Sequence, residues 1–245
     1  MEGLIKSVNG YFSNNLDRIQ EACGSVKMTS QVMDAVQVIA KNNKLQQCSS
    51  TSVIGAVITA SRLGVSLDPN IKHSYLIPYG KECKLEISYM GFIDVIYRSN
   101  GTLLEAHMVY ANDEFDYEQG STPKVTHKPL VFGDRGALIG CYAIARMPQG
   151  DFSIEFLTVE DIEQCRKVSK NPNGVWKTWF AEMAKKSAIR RLYKRLPKNA
   201  DSAMITAYDE KQDIGADTSE FYDIEGVEIP QEQAQQTALE ALNEL

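Results

Sequence analysis

The sequence contains no long hydrophobic run and only five cysteines. Its longest apolar stretches, residues 53–60 and 137–145, are no more than half of the roughly 18–20 residues that a membrane-spanning helix needs, so no membrane association is predicted. The first residues include no apolar segment of signal-peptide length. The five cysteines form no Cys-x-x-Cys pair and predict reduced thiols in a cytoplasmic protein.

Catalytic motifs are also scarce. The chain has no Gly-x-x-x-x-Gly-Lys-Ser/Thr run, so no phosphate-binding loop is predicted. Two interpretations stay open for the acidic residues Asp113, Glu114 and Asp116: a polar turn between strands, or the metal site of a metal-dependent nuclease. The three histidines are far apart and match no zinc-binding spacing: His73, His107 and His127.

Charges of the two signs are concentrated in separate segments of the 245-residue chain, whose formal net charge is −6. Residues 209–245 contain eleven acidic residues against one lysine, which leaves residues 1–208 with a net charge of +4. Residues 165–198 contain eleven Lys and Arg against one glutamate. Segments of a single charge sign are typical of interaction surfaces or solvated tails.

The hydrophobic pattern predicts an α+β fold with N-terminal helices, a central antiparallel β-meander around a short inserted helix, a C-terminal basic helix and an acidic flexible tail. Helical periodicity marks residues 32–40 and 53–63, and Gly64 is the expected stop of the second helix. A hairpin is predicted at residues 74–88 and a helix at 90–99. Further strands are predicted at 103–110, 124–127, 137–147 and 151–157, and further helices at 159–168 and 178–196.

Residues 178–196 combine an amphipathic pattern with a high density of positive charge. Lys186, Arg190 and Lys194 are four residues apart, so their charges follow each other about 6 Å apart along one helix face. Such like charges repel by a few tenths of a kcal/mol per pair, and a polyanion such as nucleic acid would relieve the repulsion. A solvated basic face is the alternative. The nearby Trp176 and Trp179 are suited either to stacking on unpaired bases or to the core.

Seven segments resemble, in order and spacing, the RecT family of phage and prophage single-strand annealing proteins. They are residues 60–69, 72–80, 89–99, 112–115, 127–129, 133–136 and 182–194. The resemblance extends over about residues 61–198, and its last segment is the basic helix described above. The chain departs from the family pattern at residues 171–179, where two tryptophans stand and one is expected.

The resemblance implies ATP-independent binding of single-stranded DNA and its annealing to a complementary strand during recombination. It also implies a homo-oligomer, assembled as a ring or a helical filament on single-stranded DNA and the annealed duplex. A partner exonuclease and the host single-strand-binding protein are further implied partners. No enzymatic activity, catalytic residue, cofactor or metal is expected. Two alternatives to an annealing protein stay open: the metal-dependent nuclease and a DNA-binding interaction protein without annealing activity.

Candidate DNA-binding residues are basic or aromatic side chains within or near the resembling segments. Phosphate contacts are expected first from the basic helix and its surroundings, through Lys186, Arg190, Arg191, Lys194, Lys185 and Lys177, and from Arg98. The hairpin adds three lysines, namely Lys72, Lys81 and Lys84. Base contacts are assigned to three aromatic residues: Trp176, Tyr75 and Tyr89.

Two domains are predicted. Residues 1–200 form the DNA-annealing core domain, whose N-terminal helical part extends to about residue 66. Residues 201–245 form an acidic, largely flexible tail, because Phe221 and Tyr222 are the only aromatic residues after Tyr208 and cannot bury enough apolar surface alone. The tail is expected to compete with DNA for the basic surface, or to serve as a docking segment for partners.

Overall fold

The computed structural model describes residues 2–24, 28–120, 122–169, 172–214 and 216–229. Eight α-helices and seven antiparallel strands within these ranges confirm the predicted α+β class. The chain divides into two compact units, of which the first comprises Met1–Gly91 with Met204–Leu245 and the second comprises Phe92–Ala203. This division differs from the predicted boundary at residue 200, because C-terminal residues pack with the N-terminal helices. No helix of the described ranges is both long and apolar enough to cross a membrane.

The first unit contains the N-terminal helices and a hairpin. Its elements are α1 (Glu2–Cys23), α2 (Met28–Ala40), a 3₁₀ turn (Leu45–Gln47), α3 (Ser50–Arg62), β1 (Ser74–Tyr79) and β2 (Glu82–Ile87). The strands pair antiparallel around the two-residue turn Gly80-Lys81, as predicted. Gly80 has a φ of 63°, a left-handed conformation that glycine adopts without steric cost.

Helix α3 is the centre of the first unit and packs against α1, α2 and β2. The nine residues from Val53 to Ser61 are all buried, so this helix has no solvent-exposed face in its middle. It begins where the Ser49 side chain accepts a hydrogen bond from Ser52 N, and it ends before Gly64, whose φ is 68°. The C-terminal end agrees with the sequence prediction, whereas the helix begins three residues before the predicted residue 53.

The segment after Pro197 is structured over much of its length, contrary to the predicted flexible tail. Helix α8 (Ala200–Ile214) buries Ile205 and Tyr208, and the Tyr208 hydroxyl donates to Leu85 O at 3.0 Å. Phe221 is also buried, and its ring lies 5.1 Å from that of Tyr208. The prediction is therefore wrong for the described residues between 201 and 229, because their apolar side chains pack within the first unit and do not have to bury their surface alone. Residues 230–245 lie outside the described residues.

The second unit follows with helix α4 (Tyr89–Asn100), whose first residues belong to the first unit, and with five strands. The strands β3 (Leu103–Tyr110), β6 (Leu138–Arg146) and β7 (Phe152–Thr158) form one sheet in the order β3-β6-β7. The ribbon of β4 (Glu114–Glu118) and β5 (Lys124–Lys128) is inserted between β3 and β6 in the chain. Three helices complete the unit: α5 (Val159–Lys167), α6 (Val175–Thr178) and α7 (Phe180–Arg195).

Strand β6 separates two packing layers of the second unit. Its side chains alternate between the faces, so Tyr142 and Ile144 point away from Cys141, Ala143 and Ala145. Tyr142 and Ile144 belong to a cluster with side chains of the β4–β5 ribbon. Helix α7 packs across β3, β6 and β7, and the small side chains of β6 allow this close approach.

All five cysteines are free thiols, and four of them are buried. Burial raises the pKa of both Cys83 and Cys141 to about 12, and it raises that of Cys23 to about 11 against a smaller lowering effect of Arg62. These thiols stay protonated near neutral pH, and a protonated thiol is a poor nucleophile. Cys165 on α5 is half-buried.

Candidate nucleic-acid interface

Helix α7 is fixed to the second unit by its apolar face. The predicted division of the helix is confirmed, because Ala188, Ile189, Leu192 and Tyr193 are all buried. The Tyr193 ring meets that of Phe92 at a centroid distance of 5.1 Å, and the Tyr193 hydroxyl donates to the backbone at residue 202 over 2.9 Å. The position of the opposite, basic face is therefore determined by the core.

The basic face of α7 consists of the five cationic residues that share this side of the helix: Lys186, Arg190, Arg191, Lys194 and Arg195. Lys186 and Arg190 are half-buried, whereas the other three are exposed. Partial burial of long cationic stems places their charged ends at the surface with less freedom to lose on binding. The structure thus brings four of the predicted phosphate-contacting residues onto one helix face.

Two arginines of this face have acidic partners that lie outside the basic segment of the sequence. Arg191 Nη1 lies 3.5 Å from a carboxylate oxygen of Asp161 on α5. Arg195 Nη2 lies 2.6 Å from Glu155 Oε2 on β7 and donates to a backbone carbonyl at 2.8 Å. The repulsion that the sequence predicts between the cations of this helix is therefore reduced at these two residues. Tertiary neighbours supply the acids, and a window of sequence does not contain them.

The remaining candidates of the second unit differ in their surroundings. Lys177 on α6 is exposed. Lys185 lies 3.1 Å from Glu182 one turn earlier on α7, and Arg98 lies 2.8 Å from Asp94 one turn earlier on α4. Exposed pairs of this kind contribute at most about 0.5 kcal/mol, so they do not prevent either cation from exchanging its carboxylate for a phosphate.

The two tryptophans have opposite environments. Trp176 is 2% exposed, and its Nε1 has no hydrogen-bond partner among the described residues, whereas Trp179 is 61% exposed. The assignment of Trp176 as a base contact is therefore wrong for the structure as it stands, because its ring is enclosed in the core. The sequence suited both rings to stacking, but the base contact was assigned to Trp176 rather than to the accessible Trp179. The departure of residues 171–179 from the family pattern was the signal that could have found it.

The DNA-binding candidates of the hairpin region belong to the first unit, whereas α7 belongs to the second. Lys72, with a φ of 61°, and Lys81 are both exposed. Lys84 lies 5.8 Å above the ring of Tyr79 and 3.9 Å from Glu82. The outward face of the hairpin therefore carries acidic as well as basic groups. The two aromatic candidates are Tyr75, which is 43% exposed, and Tyr89, which is half-buried.

Asp113 organises a buried polar network in the second unit, a role that the sequence did not indicate. Its side chain is fully buried, and one carboxylate oxygen accepts from Arg135 Nε and from Leu130 N, each at 2.9 Å. The other oxygen accepts from Arg135 Nη2 and from Tyr110 N, and it lies 3.2 Å from His127 Nε2. The hydrogen bonds from Arg135 hold the pKa of Asp113 far below its usual range, and they outweigh the opposing effect of burial.

The three acidic residues considered for a metal site do not converge. Glu114 and Asp116 lie on strand β4, where they pair across the ribbon with Lys128 at 2.7 Å and with Lys124 at 3.8 Å. Within the described ranges, no group of three His, Cys, Asp or Glu side chains is placed to hold a metal ion. The polar-turn interpretation is confirmed for Asp113, which lies in the turn between β3 and β4, and it is wrong for Glu114 and Asp116, because residues 114–118 form a strand.

The loop that Asp113 anchors presents an apolar tip to solvent. Val131 is 78% exposed and Phe132 is 88% exposed, with Leu130 beside them. Asn112 closes the base of the loop, since its side chain donates to the carbonyl of Asp134 at 2.9 Å. A fixed and exposed apolar segment of this kind is typical of an interaction surface.

Fold and surface together define an α+β protein with a basic helix face on its second unit. A sequence model of the RecT family matches residues 30–223. The chain is 35% identical to Protein RecT of Escherichia coli (strain K12) over 196 residues, which cover 76% of this chain and 72% of the relative. It is 22% identical to the uncharacterized protein YqaK of Bacillus subtilis (strain 168) over 244 residues, covering 92% and 79% of the two chains.

The chain belongs to the RecT family, as the resembling segments of the sequence predict. It is accordingly a protein that binds DNA and acts in recombination and strand annealing. The match includes helix α7 with its basic face, the hairpin and the Asp113 network, all of which lie within residues 30–223.

Proposed function

We propose that this protein binds single-stranded DNA and anneals it to a complementary strand without ATP. The observation that carries the proposal is the basic face of α7, combined with membership of the RecT family. Lysine and arginine contacts to phosphates give affinity that is independent of base sequence. Base pairing then supplies the specificity, so the protein needs neither a base-reading helix nor a hydrolytic residue.

Annealing follows from how such a face holds a strand. Contacts of Lys186, Arg190 and Lys194 along one helix side engage the phosphates and leave the base edges open to a second strand. The same positive charge lowers the repulsion between two polyanionic strands as they approach. The sequence has no phosphate-binding Gly-Lys-Ser/Thr loop, which supports pairing driven by base stacking rather than by nucleotide hydrolysis.

The test of this proposal mixes the protein with complementary labelled oligonucleotides in the absence of nucleotide and follows duplex formation. Faster pairing than in protein-free solution is expected, with no acceleration for non-complementary strands. A strict requirement for a nucleoside triphosphate would contradict the proposal. Binding without acceleration would favour the alternative interaction protein, and Mg²⁺-dependent degradation of the strands would favour the nuclease.

We also propose that the active form is a homo-oligomer, a ring or a helical filament on DNA. The apolar loop tip at Leu130, Val131 and Phe132 supports a contact with a second copy, because its exposure costs free energy that association would recover. Sedimentation velocity with and without a single strand tests this assignment. Phe132→Ser should shift the distribution towards smaller species, while Val168→Ser, a control at an 83% exposed apolar position, should not.

Partner proteins belong to the same proposal. A partner exonuclease and the host single-strand-binding protein are the expected partners of a cytoplasmic recombination protein of this kind. Most of the acidic residues after Tyr208 lie before residue 230, and residues 230–245 contribute only three glutamates. Pull-down of either partner with the full chain and with a chain ending at residue 229 would locate the docking segment.

A further inference from the structure

Trp179 exposes an unusually large aromatic surface in the second unit. Its side chain is 61% exposed, although tryptophan is on average among the more buried residues of folded proteins. Trp176, three residues earlier, is 2% exposed. The exposed ring is therefore a feature of one position and not of the tryptophan-rich segment as a whole.

The backbone around Trp179 holds the ring outward. With φ −128° and ψ 44°, this residue interrupts the helical run between α6 and α7. Trp179 N donates to the carbonyl of Val175 at 2.8 Å, and Trp179 O accepts from Met183 N at 3.0 Å. The buried Trp176 anchors the segment and meets Phe180 edge-on, with ring centroids 5.9 Å apart. Hydrogen bonds and packing thus hold the backbone that carries the Trp179 ring. Binding a ligand to this ring therefore costs less conformational entropy.

A cation stands close to the exposed ring in the chain. Lys177, two residues before Trp179, is exposed, and residues 176–181 contain no acidic side chain. The first acid of α7 is Glu182, which already lies 3.1 Å from Lys185. An exposed aromatic ring two residues from an exposed cation matches the combination that binds unpaired nucleotides, because every base has a π-face and every nucleotide carries a phosphate.

We infer that Trp179 is a stacking platform for an unpaired base of single-stranded DNA, with Lys177 contacting a neighbouring phosphate. This inference rests on the proposed binding of single strands and names the residue that contacts the base. It assigns the contact to Trp179 in place of the buried Trp176. A contact of this type does not distinguish between bases, so it fits a protein that must accept any sequence.

Binding measurements separate stacking from phosphate contact. We expect Trp179→Ala to weaken binding of an oligo(dT) by about 5- to 150-fold, the range for one lost base–aromatic stack. The slope of log K against log salt should stay unchanged, because no phosphate contact is removed. Lys177→Ala should lower that slope instead. Val175→Ala, a control at a 50% exposed neighbouring position, should bind like the unchanged protein.

Fluorescence provides an independent readout, since the chain has only two tryptophans. Trp176→Phe leaves Trp179 as the single indole and removes an Nε1 for which the described part of the chain supplies no hydrogen-bond partner. The emission of Trp179 in this variant should be quenched by oligo(dT) but not by an abasic strand with the same phosphates. Trp179→Phe, which retains the buried Trp176, should show little quenching with either strand.

The outcomes are distinct. Unchanged affinity of folded Trp179→Ala for oligo(dT) would overturn the inference and leave the proposed function standing. Equal weakening on oligo(dT) and on the abasic strand would also overturn it, because the ring would then act through packing. Failure of the unsubstituted protein to bind any single strand would instead contradict the proposed function, and the inference with it.

Discussion

At the scale of single residues, a substitution of Asp113 should lower the stability of the fold substantially. Asp113→Asn removes a charge that is fully buried and that accepts hydrogen bonds from Arg135 and two backbone N–H groups. We expect the free energy of unfolding to fall by about 3 kcal/mol, measured by urea denaturation. Asp116→Asn is the matched control, because that carboxylate is 60% exposed, and it should change stability by less than about 0.5 kcal/mol.

The same carboxylate predicts a dependence of stability on pH. The pKa of Asp113 is far below its usual range, so the unfolded chain binds a proton near its ordinary pKa of about 3.9 while the folded chain does not. The stabilisation by Asp113 is therefore fully present above about pH 5 and decreases as the pH falls. Asp113→Asn should lose stability less steeply than the unsubstituted protein between about pH 5 and pH 3. Equal slopes for the two proteins would contradict this assignment.

At the scale of the element, helix α7 should carry the salt dependence of DNA binding. The triple substitution Lys186→Ala, Arg190→Ala and Lys194→Ala should lower the log–log salt slope by up to about 2, which is about 0.7 for each phosphate contact on a single strand. Circular dichroism must show that the variant is folded. Lys44→Ala, Lys124→Ala and Lys128→Ala remove the same charge from exposed positions elsewhere. If the log–log salt slope falls by the same amount in both triple variants, the net charge of the protein rather than the basic face of α7 determines the salt dependence of binding.

Helix α7 was predictable from the sequence because its signal is local. Residues spaced by three and four fall on one helix face, and the apolar positions Ile189 and Leu192 are buried as expected. Strand β4 was not recognised, although Phe115 and Tyr117 alternate with acidic residues. Its short acidic stretch resembles a turn in composition, and the cluster of aromatic residues that receives it comes from distant parts of the chain.

The candidate site was predictable only in part, for the same physical reason. Periodicity assigns a cation to a helix face, but it does not reveal that Asp161 and Glu155 approach Arg191 and Arg195 from other elements. The choice between two tryptophans three residues apart depends on one backbone interruption at Trp179. No propensity pattern contains that interruption.

At the scale of the whole molecule, two truncations should behave differently. A chain ending at Tyr208 loses the buried Phe221 and the backbone carbonyls of Glu220 and Asp223 to which Arg62 donates at 2.9 and 3.1 Å. Its melting temperature should fall by several degrees, because losing one buried aromatic side chain alone costs about 3 kcal/mol or more. A chain ending at residue 229 should keep its melting temperature in the same calorimetric experiment.

The chain ending at residue 229 also tests whether acidic residues compete with DNA. Removing residues 230–245 deletes three glutamates and no lysine or arginine. If these residues compete for a basic surface, single-strand binding should tighten at low salt, and the gain should fade as ionic strength rises. Equal binding at every salt concentration would leave docking of partners or solubility as the role of this segment.

The burial of most of the cysteines has a practical consequence for the chemical labelling of the protein. Four of the five cysteines are buried, and burial keeps the thiols of Cys23, Cys83 and Cys141 protonated near neutral pH. A maleimide dye added to the folded protein should therefore attach mainly at Cys165 on α5. Cys165→Ser should abolish most of the incorporation, and denaturation should expose the other four sites. The unaltered chain thus offers a nearly unique attachment point for a fluorophore, two turns along the helix from the Thr158 that caps it.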